Sequence, residues 1–107
     1  MATNPTLPYR ILGPSPELAD NCVNPYYLED LKHRIAVARI AGKLFAFDDL
    51  YRECPLSAGL LTGTTIMSQA DGSQFDVASG AVLRGPTTAR LATYAVREAN
   101  GQIEVRI

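Results

Sequence analysis

The sequence is poor in the side chains that bind transition metals. Its 107 residues include two cysteines (Cys22 and Cys54), one histidine (His33) and no tryptophan. Two cysteines form at most one disulfide, which is no disulfide framework, so a reducing cytoplasm is the expected location. A structural zinc site takes four cysteine or histidine ligands, and three such residues cannot complete one within the chain.

The sequence also lacks a basic cluster and a long apolar run. Ten Lys and Arg residues oppose eleven Asp and Glu residues, which gives a net charge of −1. Nucleic-acid binding needs concentrated positive charge that releases counter-ions, so no nucleic-acid partner is expected. A membrane-spanning helix needs about 20 apolar residues, and because the chain has no run near that length, no membrane association is expected.

The length suits one domain, because domains cluster near ~100–150 residues. We therefore expect a single domain over residues 1–107. Residues 1–15 carry three prolines and no apolar stretch. They are predicted to form a partly ordered extension without an export signal, apart from a candidate strand at 9–12.

Alternating apolar residues and turn dipeptides predict β-hairpins. The period-two alternation at 102–107 follows Asn100-Gly101, a dipeptide that favours a two-residue hairpin turn, and Asp71-Gly72 is interpreted in the same way. The segment 34–40 is almost continuously apolar, which is typical of a strand covered on both faces. The predicted hairpins are 34–40 with 43–47, 64–68 with 74–77, and 91–97 with 102–107.

Helical signals are scarce. Residues 16–21 can form one short turn, and residues 26–33 fit a short helix or an edge strand, of which we favour the strand. Short strands separated by Gly, Pro, Asn and Asp predict an all-β protein. The expected fold is an antiparallel β-sandwich or small barrel with hairpin loops.

Four segments together resemble the Rieske ferredoxin family. They are AGKLFAFDD (41–49), LSAGLLTG (56–63), GSQFDVASG (72–80) and GPTTARLATYAVREANGQIEV (85–105). No segment is specific alone, but their order and spacing are, and the resemblance covers roughly residues 30–107. It implies a compact β domain that holds a two-iron two-sulfur cluster between two loops, with two cysteines on one iron and two histidines on the other. Members of the family pass single electrons to aromatic-ring oxygenases and related enzymes.

The ligand positions that the resemblance implies do not carry the family's residues. The family has Cys-x-His in a first loop and, about sixteen residues later, Cys-x-x-His-Gly in a second. Counting from the neighbouring motifs places Asp49 and Tyr51 at the first pair of positions, and Ser68 and Asp71 at the second pair. An alternative alignment with a deletion makes Cys54 the first cysteine and shortens the interval. At least three of four ligands are missing in either alignment, so we expect no cluster, no other cofactor and no metal.

These positions also admit simpler interpretations. Asp71-Gly72 fits an ordinary hairpin turn, and Ser68 fits a small residue at a strand end. Cys54 is expected to be inert, and His33, between two basic residues, is expected to be a solvated turn residue.

A further alternative is a hard-cation site. In the family fold, several oxygen-bearing side chains would converge at one tip, and such oxygens suit Mg²⁺ or Ca²⁺. The residues are Asp49, Tyr51, Glu53, Ser68 and Asp71.

The preferred function is a non-catalytic accessory or docking subunit whose loop tip meets an oxygenase or reductase component. Segment 48–71 holds four acidic residues and one basic residue, a net charge of −3 that would suit a basic partner face. Two alternatives remain open. One is a working electron-transfer ferredoxin component of a dioxygenase. The other is a binder or enzyme that uses Asp49, Tyr51 and Asp71 in the loop cleft.

Overall fold

The structure, a computed structural model, describes residues 7–107. It consists of short strands and two 3₁₀ turns, Ser15–Glu17 and Leu56–Ala58. No helix in this described part is long and apolar enough to cross a membrane. The strands are β1 (Tyr9–Pro14), β2 (Cys22–Leu28), β3 (His33–Ile40), β4 (Lys43–Asp48), β5 (Leu50–Tyr51), β6 (Cys54–Pro55), β7 (Leu60–Thr62), β8 (Thr65–Met67), β9 (Gln74–Asp76), β10 (Val82–Arg84), β11 (Thr93–Ala99) and β12 (Gln102–Arg106).

The strands form antiparallel sheets. The largest has the order β1-β12-β11-β4-β3-β2, a second has the order β10-β9-β8-β7, and β5 pairs with β6 alone. The large sheet curls into a half-barrel. An ion pair connects the two edges of this sheet. Arg10 of β1 contacts Asp30, which follows β2, with 2.5 Å between Nη1 and Oδ2. The predicted all-β class with antiparallel sheets and hairpin loops is confirmed.

Strand β3 contributes to two apolar cores, which explains its almost continuous apolar sequence. Ala36 and Ala38 face a core between the half-barrel and the four-stranded sheet, together with Phe47 and Phe75. The alternate residues of β3 face the interior of the half-barrel. The prediction that this strand is covered on both faces is confirmed, since Ile35–Ala38 are all buried.

Two predicted hairpins are present but differ in the length of their turns. Asn100 and Gly101 have φ values of 53° and 75° and connect β11 to β12 directly, as the dipeptide predicts. The hairpin predicted around Asp71-Gly72 is confirmed, since β8 and β9 pair antiparallel. Strand β8 ends at Met67 and β9 begins at Gln74, so the dipeptide lies in a six-residue loop rather than in a two-residue turn.

The other differences from the sequence predictions concern short or terminal elements. The strand expected at 9–12 is present and extends to Pro14, so residues 9–14 belong to the large sheet rather than to a partly ordered extension. Residues 1–6 lie outside the described part. The strand favoured for 26–33 ends at Leu28, and a turn precedes β3. Strands β5, β6, β7 and β10 have two or three residues each, which is too short for a period-two pattern.

Substituting Gly80 tests how the chain after β10 is held against the sheets. A Cβ at Gly80 would lie 2.1 Å from the carbonyl oxygen of Leu91, and the Leu91 N–H donates to the Gly80 oxygen at 2.8 Å. Gly42 has a nearly identical φ of +80° with no atom within 4 Å of its would-be Cβ. We expect Gly42→Ala to lower the free energy of unfolding by about 1 kcal/mol, from backbone strain alone. Gly80→Ala should lower it by about 3 kcal/mol or more, because the clash is added.

Urea unfolding of both variants measures the difference directly. Equal losses for Gly42→Ala and Gly80→Ala would contradict the close packing of Gly80 on Leu91.

Candidate functional site at the junction of three loops

The predicted site residues lie in loops at one end of the molecule. We call residues 49–57, which contain β5 and β6, the first loop. Residues 68–73, between β8 and β9, form the second loop, and residues 85–92, between β10 and β11, form the third loop. Hydrogen bonds link the first loop to the second and the second to the third. We call this region the three-loop end.

Tyr51 joins the first loop to the second. Its hydroxyl donates to Asp71 Oδ2 at 2.7 Å and lies 3.3 Å from Ser73 Oγ. Its ring packs edge-on against Phe75, with 5.3 Å between ring centroids and an interplanar angle of 73°. The tyrosine is therefore anchored in the apolar core by its ring and in the second loop by its hydroxyl.

Ser73 joins the second loop to the third. Its side chain is fully buried, and its Oγ accepts a hydrogen bond from the Thr87 N–H at 3.2 Å. On the solvent side, Arg52 Nε lies 3.1 Å from Asp71 Oδ2. We call the contacts among Tyr51, Asp71, Ser73 and Thr87 the Tyr51 clamp.

The Asp71 carboxylate is held in its charged form. Partial burial is the largest single influence and raises the pKa of Asp71. Hydrogen bonds from Ser73 and Tyr51, together with the nearby Arg52 charge, outweigh it, so the net pKa is lower than usual. The clamp therefore consists of a phenol hydroxyl donating to an ionised carboxylate, which is stronger than a neutral hydrogen bond.

Asp49 fixes the base of the first loop and does not face the clamp. Its side chain has 0% exposure and accepts hydrogen bonds from the Arg34 guanidinium, from the Ser57 N–H at 2.7 Å and from the Ser57 hydroxyl at 3.1 Å. Its backbone oxygen accepts from the Leu56 N–H at 2.5 Å. The carboxylate thus forms an ion pair with Arg34 of β3 and accepts hydrogen bonds from Ser57 that close the first loop.

Ser68 has the same kind of role in the second loop. It is 2% exposed, and its Oγ accepts a hydrogen bond from the Ala70 N–H at 2.9 Å. Its backbone N–H donates to the Ser73 oxygen, and its backbone oxygen accepts from the Gly72 N–H. Both hydrogen bonds close the loop on itself, so Ser68 shapes the second loop rather than ending a strand.

Cys54 is half-buried and unpaired in the β5-β6 hairpin, directly opposite Tyr51. Arg52 and Glu53 form the turn between them, both with positive φ values.

The five oxygen-bearing side chains considered as a hard-cation site lie at one end of the molecule, but they do not form one cluster. Of these residues, only Tyr51 and Asp71 bond to each other, while Asp49 pairs with Arg34 and Ser68 bonds within its loop. Among residues 7–107 no group of three or more His, Cys, Asp or Glu residues is arranged to hold a metal ion.

His33 is not a solvated turn residue, so that expectation is also wrong. It begins β3, and its Nε2 lies 2.7 Å from Asp48 Oδ1, which also accepts a hydrogen bond from the Tyr94 hydroxyl at 2.6 Å. The sequence could have indicated this pair. Residues 33 and 48 adjoin the two free ends of the predicted hairpin of 34–40 with 43–47, and these ends lie side by side in a hairpin.

The acidic residues of segment 48–71 are mostly paired within the molecule. Three of its four carboxylates have partners: Asp48 with His33, Asp49 with Arg34, and Asp71 with Arg52. Arg52 is already counted in the net charge of −3, so Arg34 of β3 is the cation from outside the segment that offsets part of it. The segment therefore keeps a negative net charge, but most of its carboxylates are held by contacts within the protein.

Comparisons with known proteins point to one fold. No protein-family model and no curated protein matches the chain. Among solved structures, a ferredoxin from Sphingomonas yanoikuyae has a TM-score of 0.83 and 25% identity, covering 94% of this chain and 99% of that one. The ferredoxin of carbazole 1,9a-dioxygenase from Nocardioides aromaticivorans has a TM-score of 0.81 and 18% identity, covering 92% and 96%.

The chain has the Rieske-type ferredoxin fold. A complex of oxygenase and ferredoxin in carbazole 1,9a-dioxygenase contains a further match, with a TM-score of 0.82 and 21% identity over 92% of each chain. The terminal oxygenase of carbazole 1,9a-dioxygenase from a Novosphingobium species also matches, with a TM-score of 0.77 and 25% identity over 92% of this chain and 29% of that one.

The donor set of this Rieske-type fold does not match the cluster of the family. Such a cluster uses two thiolates and two neutral imidazoles. The positions that the alignment assigns to the cluster ligands carry two carboxylates, a phenol and a hydroxyl (Asp49, Asp71, Tyr51 and Ser68). All four side chains have hydrogen-bond partners within the protein. The single histidine bonds to Asp48 outside the three loops.

The buried Asp49 ion pair predicts a specific loss of stability. Asp49→Asn removes the charge that compensates Arg34, and we expect the free energy of unfolding to fall by about 2–3 kcal/mol. Asp30→Asn is the matched control, because Asp30 is 59% exposed and pairs with Arg10 at the surface. The control should change the free energy of unfolding much less, because solvent screens a surface ion pair. Comparable losses in urea unfolding would argue against a structural role for Asp49.

Tyr94 predicts a loss of stability at high pH. Burial, and then the hydrogen bond and charge of Asp48, raise the pKa of Tyr94 above its ordinary value of 10.0. Below pH 10 the tyrosine is neutral in both folded and unfolded chains, so its contribution is fully present. As the pH rises above about 10, the unfolded chain ionises first and stability falls.

Urea unfolding near pH 8 and near pH 11 measures this fall, and Tyr94→Phe should make it smaller. The same pH dependence in the wild-type protein and in Tyr94→Phe would contradict the assignment.

Proposed function

We propose that this protein is a Rieske ferredoxin-like accessory subunit of an oxygenase or reductase system that binds no iron–sulfur cluster and acts by docking. The observation that carries the proposal is the type of side chain at the four positions that the alignment assigns to cluster ligands. Asp49, Tyr51, Ser68 and Asp71 present oxygen atoms that already have partners within the protein. Ordinary electron transfer would need a redox centre that these side chains do not favour.

Ligand preference supports this proposal. Iron–sulfur clusters are held by thiolates, and in Rieske centres by imidazoles on one iron. A buried aspartate paired with arginine, and a tyrosine paired with aspartate, would each have to lose that partner before binding iron. Cys54 alone supplies one thiol in the loops, and His33 lies at the start of β3.

An oxygenase component is the proposed class of partner. The support is the similarity to a chain in the complex of reduced oxygenase and oxidised ferredoxin of carbazole 1,9a-dioxygenase. The proposed contact surface is the three-loop end, where Leu50 is 55% exposed. Because three of the four carboxylates of segment 48–71 already have partners within the protein, we expect apolar contact and shape to contribute more to binding than charge.

The second candidate is a working electron-transfer ferredoxin, and the overall fold similarity favours it. The third possibility, acid–base chemistry in the loop cleft, has less support. Asp49 and Asp71, its proposed general bases, are both in ion pairs with arginines.

Iron analysis distinguishes the first two candidates. The protein should be purified without oxygen from cells that assemble iron–sulfur clusters. The similar Sphingomonas ferredoxin, prepared in the same way, is the control for cluster assembly. We expect far less than one iron per chain and a silent electron paramagnetic resonance spectrum after dithionite reduction, while the control gives a signal. Two irons and two sulfides per chain with a reducible signal would refute the clusterless proposal.

Docking at the three-loop end predicts a local effect of mutation. We expect Leu50→Asp to weaken binding to the oxygenase component of the same system by about tenfold or more, as loss of an apolar anchor does. Ile11→Asp is the matched control, since Ile11 is 64% exposed but lies in β1 opposite Glu104. Calorimetric titration checks both. Equal effects, or an effect of Ile11→Asp alone, would argue against docking through the loops.

A further inference from the structure

The two residues that the alignment places at the family's histidine positions, Tyr51 and Asp71, contact each other. Tyr51 occupies the position of the histidine in the first loop, and Asp71 that of the histidine in the second. The Tyr51 hydroxyl donates to Asp71 Oδ2 at 2.7 Å across the gap between the loops. The residues at the counted cysteine positions, Asp49 and Ser68, are instead buried and bonded next to their own backbone segments. This arrangement fits the alignment that keeps the sixteen-residue interval.

The clamp and the Arg52 ion pair supply the polar links between the loops. In the described part of the chain, the first and second loops are joined by the Tyr51 contacts with Asp71 and Ser73 and by the Arg52 ion pair with Asp71. The Thr87 N–H then joins the third loop to the buried Ser73 hydroxyl. The contacts from Tyr51 to Asp71 and from Thr87 to Ser73 span 20 and 14 residues of sequence, so neither is a local turn interaction.

The tyrosine suits this role for two reasons. Its ring packs against Phe75 in the core, so the hydroxyl is held in place before it meets the carboxylate. Asp71 is charged and only 17% exposed, so a phenol donor satisfies an acceptor that solvent reaches poorly. A phenylalanine at position 51 could keep the ring contact but would leave that acceptor without this donor.

We infer that the Tyr51 clamp takes over the structural task of a bridging cluster, so that hydrogen bonds within the protein hold the three-loop end together without metal. This inference rests on the proposed absence of a cluster and adds what replaces it. Two consequences follow. The order of the third loop depends on Tyr51, although in the described part of the chain Tyr51 forms no hydrogen bond with that loop, and Tyr51 and Asp71 are energetically coupled.

A double-mutant cycle with hydrogen exchange tests both consequences. The variants are Tyr51→Phe, Asp71→Asn and the pair, and the reporter is the Thr87 amide, which lies in neither mutated residue. Each single variant should speed exchange of this amide about five- to tenfold, which corresponds to the loss of one hydrogen bond of ~1 kcal/mol. The double variant should exchange little faster than either single variant. Tyr27→Phe is the control, since Tyr27 is 56% exposed on β2 and should have no effect.

The same samples are measured for iron and after incubation with EDTA. The inference predicts that EDTA leaves Thr87 exchange unchanged. Independent, additive effects of Tyr51→Phe and Asp71→Asn in iron-free protein would overturn the clamp while leaving the proposed function intact. Iron in protein whose Tyr51–Asp71 coupling persists would overturn the proposed function while leaving the clamp intact. Faster Thr87 exchange in EDTA would contradict both.

Discussion

The hydrogen bond from the Tyr51 hydroxyl to the Asp71 carboxylate is the contact on which the arrangement of the three loops depends. It connects a hairpin held by a buried ion pair, a six-residue loop closed on its own backbone, and, through Ser73, the segment that leads into β11. The ring of Tyr51 lies in the core between the two larger sheets. The loops are thus positioned by the same packing that stabilises the fold, and their polar groups satisfy one another.

The electrostatics of this end follow one pattern. Acidic residues that lie together in sequence have partners drawn from different elements: Arg34 and His33 from β3, and Arg52 from the first loop. A carboxylate that is buried or half-buried needs such a partner, because desolvation otherwise favours its neutral form. Most carboxylates of this end are thus held by partners within the protein, and the exposed Leu50 is the more distinctive feature for a protein partner.

Much of the fold could be predicted, because its long strands carry a signal in sequence. The alternation at 102–107, the turn at Asn100-Gly101 and the apolar segment 34–40 each reflect how a sheet buries its faces. Asp71-Gly72 indicated the hairpin of β8 and β9 but not the length of its loop, in which Gly72 takes a φ of +79° and the aspartate side chain bonds to Tyr51. Counting identified the site positions, but which oxygens would meet depended on tertiary packing. Asp49 turns to Arg34 and Tyr51 turns to Asp71, and no local pattern encodes that choice.

Hydrogen bonds and an ion pair within the protein, and not a metal cluster, join the loops in the proposal developed above. Native mass spectrometry of the protein purified without oxygen tests this most directly, because it measures the mass of the folded chain together with any bound cofactor. We expect the mass of the bare chain, 11.6 kDa. A folded species heavier by two irons and two sulfides, about 176 Da, would contradict it.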